Sequence, residues 1–213
     1  MLHKEVITPA TLGLLKRLQS KDYLNGFYIV GGTALALQLG HRISVDLDLF
    51  SDFSFDTVQL LENISNDFDF KLFFTAGNTL KGSIDNVQID ILAHRYPQVS
   101  KPLEDEGVSM LSDKDIIAMK LNAIAGNGQR VKYFIDIYFL LKKYTLAEML
   151  DFYKTKYKPY NEAIVLKSIV YFEDVELAEW PVLLKEPGLK WEKVTKTLTS
   201  VTKEYMRNAG LMR

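Results

Sequence analysis

Three aspartates pose the chemical question. Asp46 and Asp48 stand two positions apart in Ile43-Ser44-Val45-Asp46-Leu47-Asp48-Leu49-Phe50, a segment that alternates apolar and polar residues with the period of a strand. Residues two apart in a strand share a face, so the spacing predicts two carboxylates side by side. Carboxylates that close repel one another unless a cation lies between them, and a hard, oxygen-seeking ion such as magnesium suits them when phosphate oxygens complete its octahedron. Asp90, set among apolar neighbours in Val87-Gln88-Ile89-Asp90-Ile91-Leu92, supplies a third acid on another predicted strand, expected opposite the pair. Three such acids can hold two magnesium ions, one activating an attacking hydroxyl and the other steadying a triphosphate and its leaving pyrophosphate.

A second constellation lies just upstream. Gly31 and Gly32 end a short β-prone run, Phe27 to Val30, and precede an Ala/Leu-rich helix expected from about Thr33 to Leu39, which Gly40 would close. Two residues without a Cβ let the backbone bend sharply and approach a bulky ligand. Thr33 is predicted to cap the helix, and the N–H groups of its first turn with the Thr33 hydroxyl would make an anion site suited to a triphosphate. A phosphate cradle and a metal-binding acid pair are thereby predicted on neighbouring elements.

The elements that must position these residues follow from periodicity. A helix is predicted over 8–20 behind Thr8-Pro9, another over 54–65, and three strands near 69–75, 78–84 and 86–93, separated by turn formers at Ala76-Gly77-Asn78 and Ile84-Asp85-Asn86. That reads as an antiparallel meander. From Ser112 onward the pattern turns helical, with helices expected over about 113–125, 131–143, 145–157, 160–172 and 189–206. The expected fold class is α+β: an α/β lobe with a mixed sheet flanked by helices over 1–110, and a helical lobe over 111–213 packed on it as one compact unit.

Composition narrows the chemistry further. With no cysteine among 213 residues, disulfides, zinc–thiolate sites and a cysteine nucleophile are excluded. The three histidines, His3, His41 and His94, are scattered without metal-ligand spacing and read as structural or surface residues. No signal-like segment and no stretch apolar enough to span a bilayer is seen, so a soluble, cytoplasmic protein with no membrane partner is expected. The formal charge of −1 is unlike that of a protein gripping nucleic acid along a track. Any such contact would be local, near Lys154, Lys156 and Lys158, where an ordinary solvated helix face is the stronger expectation.

Gly31-Gly32-Thr33, Gly40-His41-Arg42, Ser44 and Asp46-Leu47-Asp48-Leu49-Phe50 together resemble the signature of DNA polymerase β-type nucleotidyltransferases, and more closely that of the AbiEii/AbiGii toxin family. A second block carries the rest of the resemblance: Asp115-Ile116-Ile117-Ala118-Met119-Lys120-Leu121-Asn122-Ala123-Ile124, then Lys132 and Phe134-Ile135-Asp136-Ile137-Tyr138. Family members commonly carry a basic residue near Asn127 and an acid at the position of Tyr133; this chain has neither, with Arg130 as a stand-in for the first. On the predicted helix Lys120 emerges from the apolar side, where a lysine seldom belongs without a ligand or partner. Asp136 borders an apolar stripe, and Lys132 is spaced at i−4 to pair with it.

The resemblance implies a magnesium-dependent enzyme that moves a nucleoside monophosphate from a nucleoside triphosphate to an acceptor hydroxyl. Asp46, Asp48 and Asp90 would bind metal, Gly31, Gly32 and Thr33 would cradle phosphate, Arg42 would add a phosphate or acceptor contact, and Lys120 and Asp136 would complete the catalytic set. It further implies a toxin of a toxin–antitoxin or phage-defence system, with RNA, such as tRNA, as acceptor and an antitoxin as partner. The residues alone leave two alternatives open: a kinase-like transfer of the γ-phosphoryl group, and a silent module that binds nucleotide without chemistry.

Overall fold

In the computed structural model, which describes residues 1–211, the chain divides into two units, Met1–Ser112 and Asp113–Arg213. The first opens with α1 (Pro9–Gln19), started as the sequence predicts: the Thr8 hydroxyl accepts the Thr11 N–H at 3.0 Å and Pro9 takes the first helical position. Leu14, Leu15 and Leu18 give it a buried stripe. Strand β1 (Tyr28–Ile29) and helix α2 (Gly31–Leu39) follow, and Gly40 ends α2 in the left-handed conformation, φ 63°. Next come β2 (Leu47–Ser51) and α3 (Thr57–Asp67), the latter capped by Asp56 through the N–H groups of Val58 and Gln59.

Strands β3 (Lys71–Ala76), β4 (Thr79–Ile84) and β5 (Val87–Ala93) form the meander that the turn formers predict. Between β4 and β5, Asp85 and Asn86 both take positive φ, 51° and 62°, the backbone of a tight hairpin turn whose twist matches that of its strands. Two short strands that the sequence reading does not contain, β6 (Leu103–Asp105) and β7 (Val108–Met110), make a further hairpin. The seven strands form one mixed sheet in the order β3-β4-β5-β2-β1-β7-β6. Pairing of β2 with β5 and of β1 with β7 is parallel, and the remaining pairs are antiparallel. Leu47, Leu49, Ile89 and Ile91 are fully buried on one face of the central pair, while Asp48 and Asp90 lie half-buried on the other.

The second unit is helical: α4 (Asp113–Asn127), α5 (Val131–Leu140), α6 (Leu146–Lys156), α7 (Glu162–Ile169) and α8 (Trp191–Asn208). Thr145 and Glu148 cap α6 reciprocally, the Thr145 hydroxyl accepting the Glu148 N–H and the Glu148 carboxylate accepting the Thr145 N–H. Helix α7 stops short of its expected end, because Val170 leaves helical geometry and the chain runs on to place Phe172 against Phe134 and Trp191, with ring centroids 5.7 and 5.6 Å away. Such edge-on aromatic packing adds to the burial of Val165, Ile169, Val194 and Leu198. Among the described residues no helix is long and apolar enough to cross a membrane.

Candidate active site

Parallel pairing of β2 with β5 places Asp48 opposite Asp90, with Leu47 opposite Ile89 and Leu49 opposite Ile91. Cross-strand neighbours stand about 5 Å apart at the backbone, so these two carboxylates share one open face of the sheet centre. Asp46 departs from the predicted arrangement. The strand begins at Leu47, and Asp46 lies just before it and exposed. The physical reason is a competing bond: the carbonyl oxygen of Asp46 accepts the hydroxyl of Thr33 at 2.5 Å instead of joining a strand ladder. Burial still alternates through Asp46, Leu47 and Asp48, which are exposed, buried and half-buried in turn.

The same bond redefines Thr33. Helix α2 starts at Gly31, two residues earlier than predicted, with Val30 as its N-terminal flank and no side-chain cap. Thr33 thus sits inside the first turn, 1% exposed, its hydroxyl bonded to Asp46 and 2.8 Å from the Ser44 hydroxyl. It fastens the start of α2 to the segment that leads into β2; its hydroxyl is not turned outward as a phosphate contact.

Both glycines are explained by what approaches them. Gly31 has φ +67°, and a Cβ there would lie 2.3 Å from Oδ2 of Asp48. A Cβ on Gly32 would lie 2.4 Å from Nη2 of Arg42. The pair of glycines lets a carboxylate and a guanidinium close against the first turn of a helix, whose partial positive charge favours the anion. Arg42 is 3% exposed, and its Nη1 donates to the Ile43 carbonyl oxygen at 3.1 Å and lies 3.5 Å from the Ser44 hydroxyl.

Lys81 is a member of this face that the sequence reading missed. Its Nζ lies 2.5 Å from Oδ2 of Asp90, on a pair that keeps 42% and 32% side-chain exposure. The signal was present: a two-residue turn at Asp85-Asn86 pairs Ile84 with Val87, and counting outward from it puts Lys81 opposite Asp90.

Lys120 and Asp136 lie in the helical unit, joined to each other at 2.6 Å with side chains 7% and 0% exposed. The Lys120 ammonium also stands 5.1 Å from the ring centroid of Tyr133, the position where the family pattern has an acid. Lys132, expected to pair with Asp136, instead meets Glu179 at 3.4 Å near the surface. Packing between α4 and α5 supplies Asp136 with a nearer partner than helical spacing does. Lys156 is likewise neither a solvated residue nor an outward basic contact, because it is buried against Asp115 at 2.8 Å.

The arrangement can neutralise, bind and deprotonate. Asp48 and Asp90 offer hard oxygen donors, the first turn of α2 brings its backbone N–H groups beside the Asp48 carboxylate, and Arg42 and Lys81 bring fixed and exchangeable positive charge to the same region of the first unit.

Residues 13–71, which contain the glycine pair, Asp46 and Asp48, match the family model described as nucleotidyl transferase AbiEii toxin of a type IV toxin–antitoxin system. The chain is 34% identical over 200 residues to the uncharacterised protein aq_aa25 of Aquifex aeolicus (strain VF5), covering 91% of this chain and 95% of that one. Among solved structures the fold resembles MenT4, a nucleotidyltransferase toxin of Mycobacterium tuberculosis H37Rv, at a TM-score of 0.60 and 16% identity over 91% of this chain and 82% of that one. It also resembles JHP933 from Helicobacter pylori, at a TM-score of 0.55 and 19% identity over 95% and 94%.

Proposed function

Residues 13–71 of this chain match the AbiEii nucleotidyltransferase toxin family model, and from that match we propose that the chain transfers a nucleoside monophosphate from a nucleoside triphosphate to an acceptor hydroxyl at the Asp48–Asp90 face. The observation that carries the reading is the register of β2 with β5, which brings two distant carboxylates together beside a helix start shaped by Gly31 and Gly32. The acceptor is RNA, with tRNA the first to test, and the protein acts in the cytoplasm as a toxin opposed by an antitoxin.

The donors suit magnesium, since both acids on this face offer carboxylate oxygens. Among the described residues no three His, Asp or Glu side chains are gathered as a ready metal site. Asp48 and Asp90 would therefore hold the ion with substrate oxygens completing the shell. Bound there, magnesium would offset the charge of the triphosphate and of its leaving pyrophosphate.

The residues of the chain do the rest. N–H groups at the start of α2 receive phosphate oxygens, and Arg42 adds a cationic contact from behind Gly32. Asp90 accepts the proton of the acceptor hydroxyl as its oxygen bonds to the α-phosphorus and the bond to pyrophosphate breaks. Lys81 must give up Asp90 for this to happen and is then free to meet charge on the substrate. Lys120 can serve a triphosphate only by leaving Asp136, which would strand a buried carboxylate, so the two act best as a pair.

Transfer from α-labelled and γ-labelled triphosphates to total RNA tests the proposal. Label should move from the α position, only with magnesium, and should fall by about two to three orders of magnitude in Asp48→Asn while the protein melts no lower than wild type. Movement of the γ label alone would make the chain a kinase, and an Asp48→Asn variant with near wild-type transfer would remove the acid pair from the mechanism.

A further inference from the structure

The face that carries the acids does not end with them. On β2, Asp48 is followed two residues later by half-buried Phe50, and on β5 the residues in register are Asp90 and Leu92. Continuing the same alternation past the end of β5 gives His94, whose N–H donates to the Ser51 carbonyl oxygen at 2.7 Å and so holds the exit of β5 against the end of β2. The His94 ring lies 5.7 Å from that of Phe50, inclined by 36°, and the Tyr96 ring lies 4.7 Å from that of His94, inclined by 45°. Tyr96 is 43% exposed. The three rings step outward from the acids toward solvent, with His94 about 13 Å beyond Asp90 at the rise of a strand.

Direction gives this ladder its meaning. Because β1 runs antiparallel to β2, with Tyr28 opposite Phe50 and the Val30 N–H bonded to the Asp48 carbonyl oxygen at 2.9 Å, the chain reaches Gly31 and the start of α2 at the Asp48 end of β2. Phe50, His94 and Tyr96 extend from the other end. The acids thus stand between a phosphate-binding helix start on one side and an aromatic ladder on the other. Displacement at phosphorus requires the attacking and leaving oxygens roughly in line, so an acceptor must come from the side away from the pyrophosphate.

We propose that Phe50, His94 and Tyr96 are a stacking platform for the unpaired bases of a single-stranded RNA end, which it guides toward the Asp48–Asp90 face. Aromatic rings that present a face to solvent beside a site for phosphate chemistry are what unpaired bases stack upon, and stacking tolerates any base because each has a π-face. Arg95, exposed between His94 and Tyr96 with its Nη1 3.1 Å from the Ser54 hydroxyl, adds a positive charge for the sugar–phosphate backbone. This assignment rests on the transferase reading for its orientation, and it is a statement about the acceptor and not about the triphosphate.

Binding of a short fluorescein-labelled single-stranded oligoribonucleotide, followed by anisotropy with no triphosphate present, tests the platform without any need for catalysis. Tyr96→Ala and His94→Ala should each weaken binding by roughly 5- to 100-fold. Tyr96→Phe should bind as wild type does, since it keeps the ring. Affinity for a magnesium–triphosphate complex, by calorimetry, should be unchanged in all three variants. Thermal melts establish folding, and because Tyr96 is more exposed than His94 its variants provide the decisive arm if His94→Ala is destabilised. The proposal is overturned if wild type does not bind the oligonucleotide, if Tyr96→Ala binds it as well as wild type does, if a duplex of the same length competes equally, or if triphosphate affinity falls instead. Loss of oligonucleotide binding in Tyr96→Ala, alongside a wild type that transfers no α label, would keep the platform and discard the transferase reading. Intact α-label transfer with unaltered oligonucleotide affinity would do the reverse.

Discussion

Asp90 and Asp136 each meet a lysine at nearly the same distance, 2.5 and 2.6 Å, in opposite surroundings. The Lys81–Asp90 pair keeps 42% and 32% of its side chains in solvent, whereas Lys120–Asp136 and the neighbouring Lys156–Asp115 pair in the helical unit are almost wholly withdrawn from it. An open pair gains little from its Coulomb attraction because water and salt screen it, and it loses little when it breaks. A buried pair has already given up hydration, so removing one partner leaves an uncompensated charge. The first kind can be exchanged during a reaction. The second kind fixes which helices stand together, and two such pairs both tie α4 to another helix of its unit, Lys120 to α5 and Asp115 to α6.

The sharpest way to break this contrast is at Lys156. Asp115→Ala should cost about 3–5 kcal/mol in chemical denaturation, by stranding the Lys156 ammonium, and the double variant Asp115→Leu/Lys156→Met should recover most of that loss. If Asp115→Ala alone proves neutral, the pair is not the structural tie described. At Lys81 the expected change in stability is far smaller, about 1 kcal/mol or less, and the informative readout is magnesium. Lys81→Met removes the competitor for Asp90 and should raise magnesium affinity by up to about fivefold in a calorimetric titration, the equivalent of that same 1 kcal/mol. Unaltered affinity would detach Asp90 from the cation.

The smallest effect belongs to an intermediate case, Glu186. A hydrogen bond from Lys142 is the main reason its carboxyl is held down at about 2, with Lys193 and the Tyr138 hydroxyl contributing. A depressed folded-state value means that this carboxylate stabilises the protein above its ordinary pKa near 4.5 and loses that contribution as pH falls toward 2. Glu186→Gln should therefore lower the melting temperature slightly at neutral pH and flatten its decline over that acid window. An acid limb identical to wild type would show that Glu186 has no such linkage.

Local rules carried the sequence reading a long way and failed where contacts became distant. Thr8-Pro9 and the Asp85-Asn86 turn act through neighbours in the chain, and each appears as a helix start or a turn at its expected place. The meander and the change to helices at Ser112 follow from the same periodicity. Asp46 escaped because its carbonyl oxygen is claimed by Thr33, a bond that no strand pattern announces. The insertion of β1 between β2 and β7 was hidden because each of its two ladder partners comes from a different part of the chain. The lysines were misjudged for a related reason: helical spacing offered Lys132 to Asp136, but packing of one helix on another brought Lys120. Gly31 and Gly32 were read as a sharp bend that lets a ligand approach, and the structure shows what each accommodates, the Asp48 carboxylate and the Arg42 guanidinium.

The parallel seam between β2 and β5 also sets an order of events in time. The meander β3-β4-β5 closes through tight turns, but β2 can join β5 only after α3, β3 and β4 have been laid down between them. Pairing across so long a stretch must overcome the entropy of closing that loop before any contact rewards it, which makes it a slow step. A chain emerging from the ribosome thus carries Asp48 for some while with no Asp90 to face it. On the proposed assignment of the site, the capacity for chemistry would not accrue gradually during synthesis but would arrive when the last strand of the meander zips against the second.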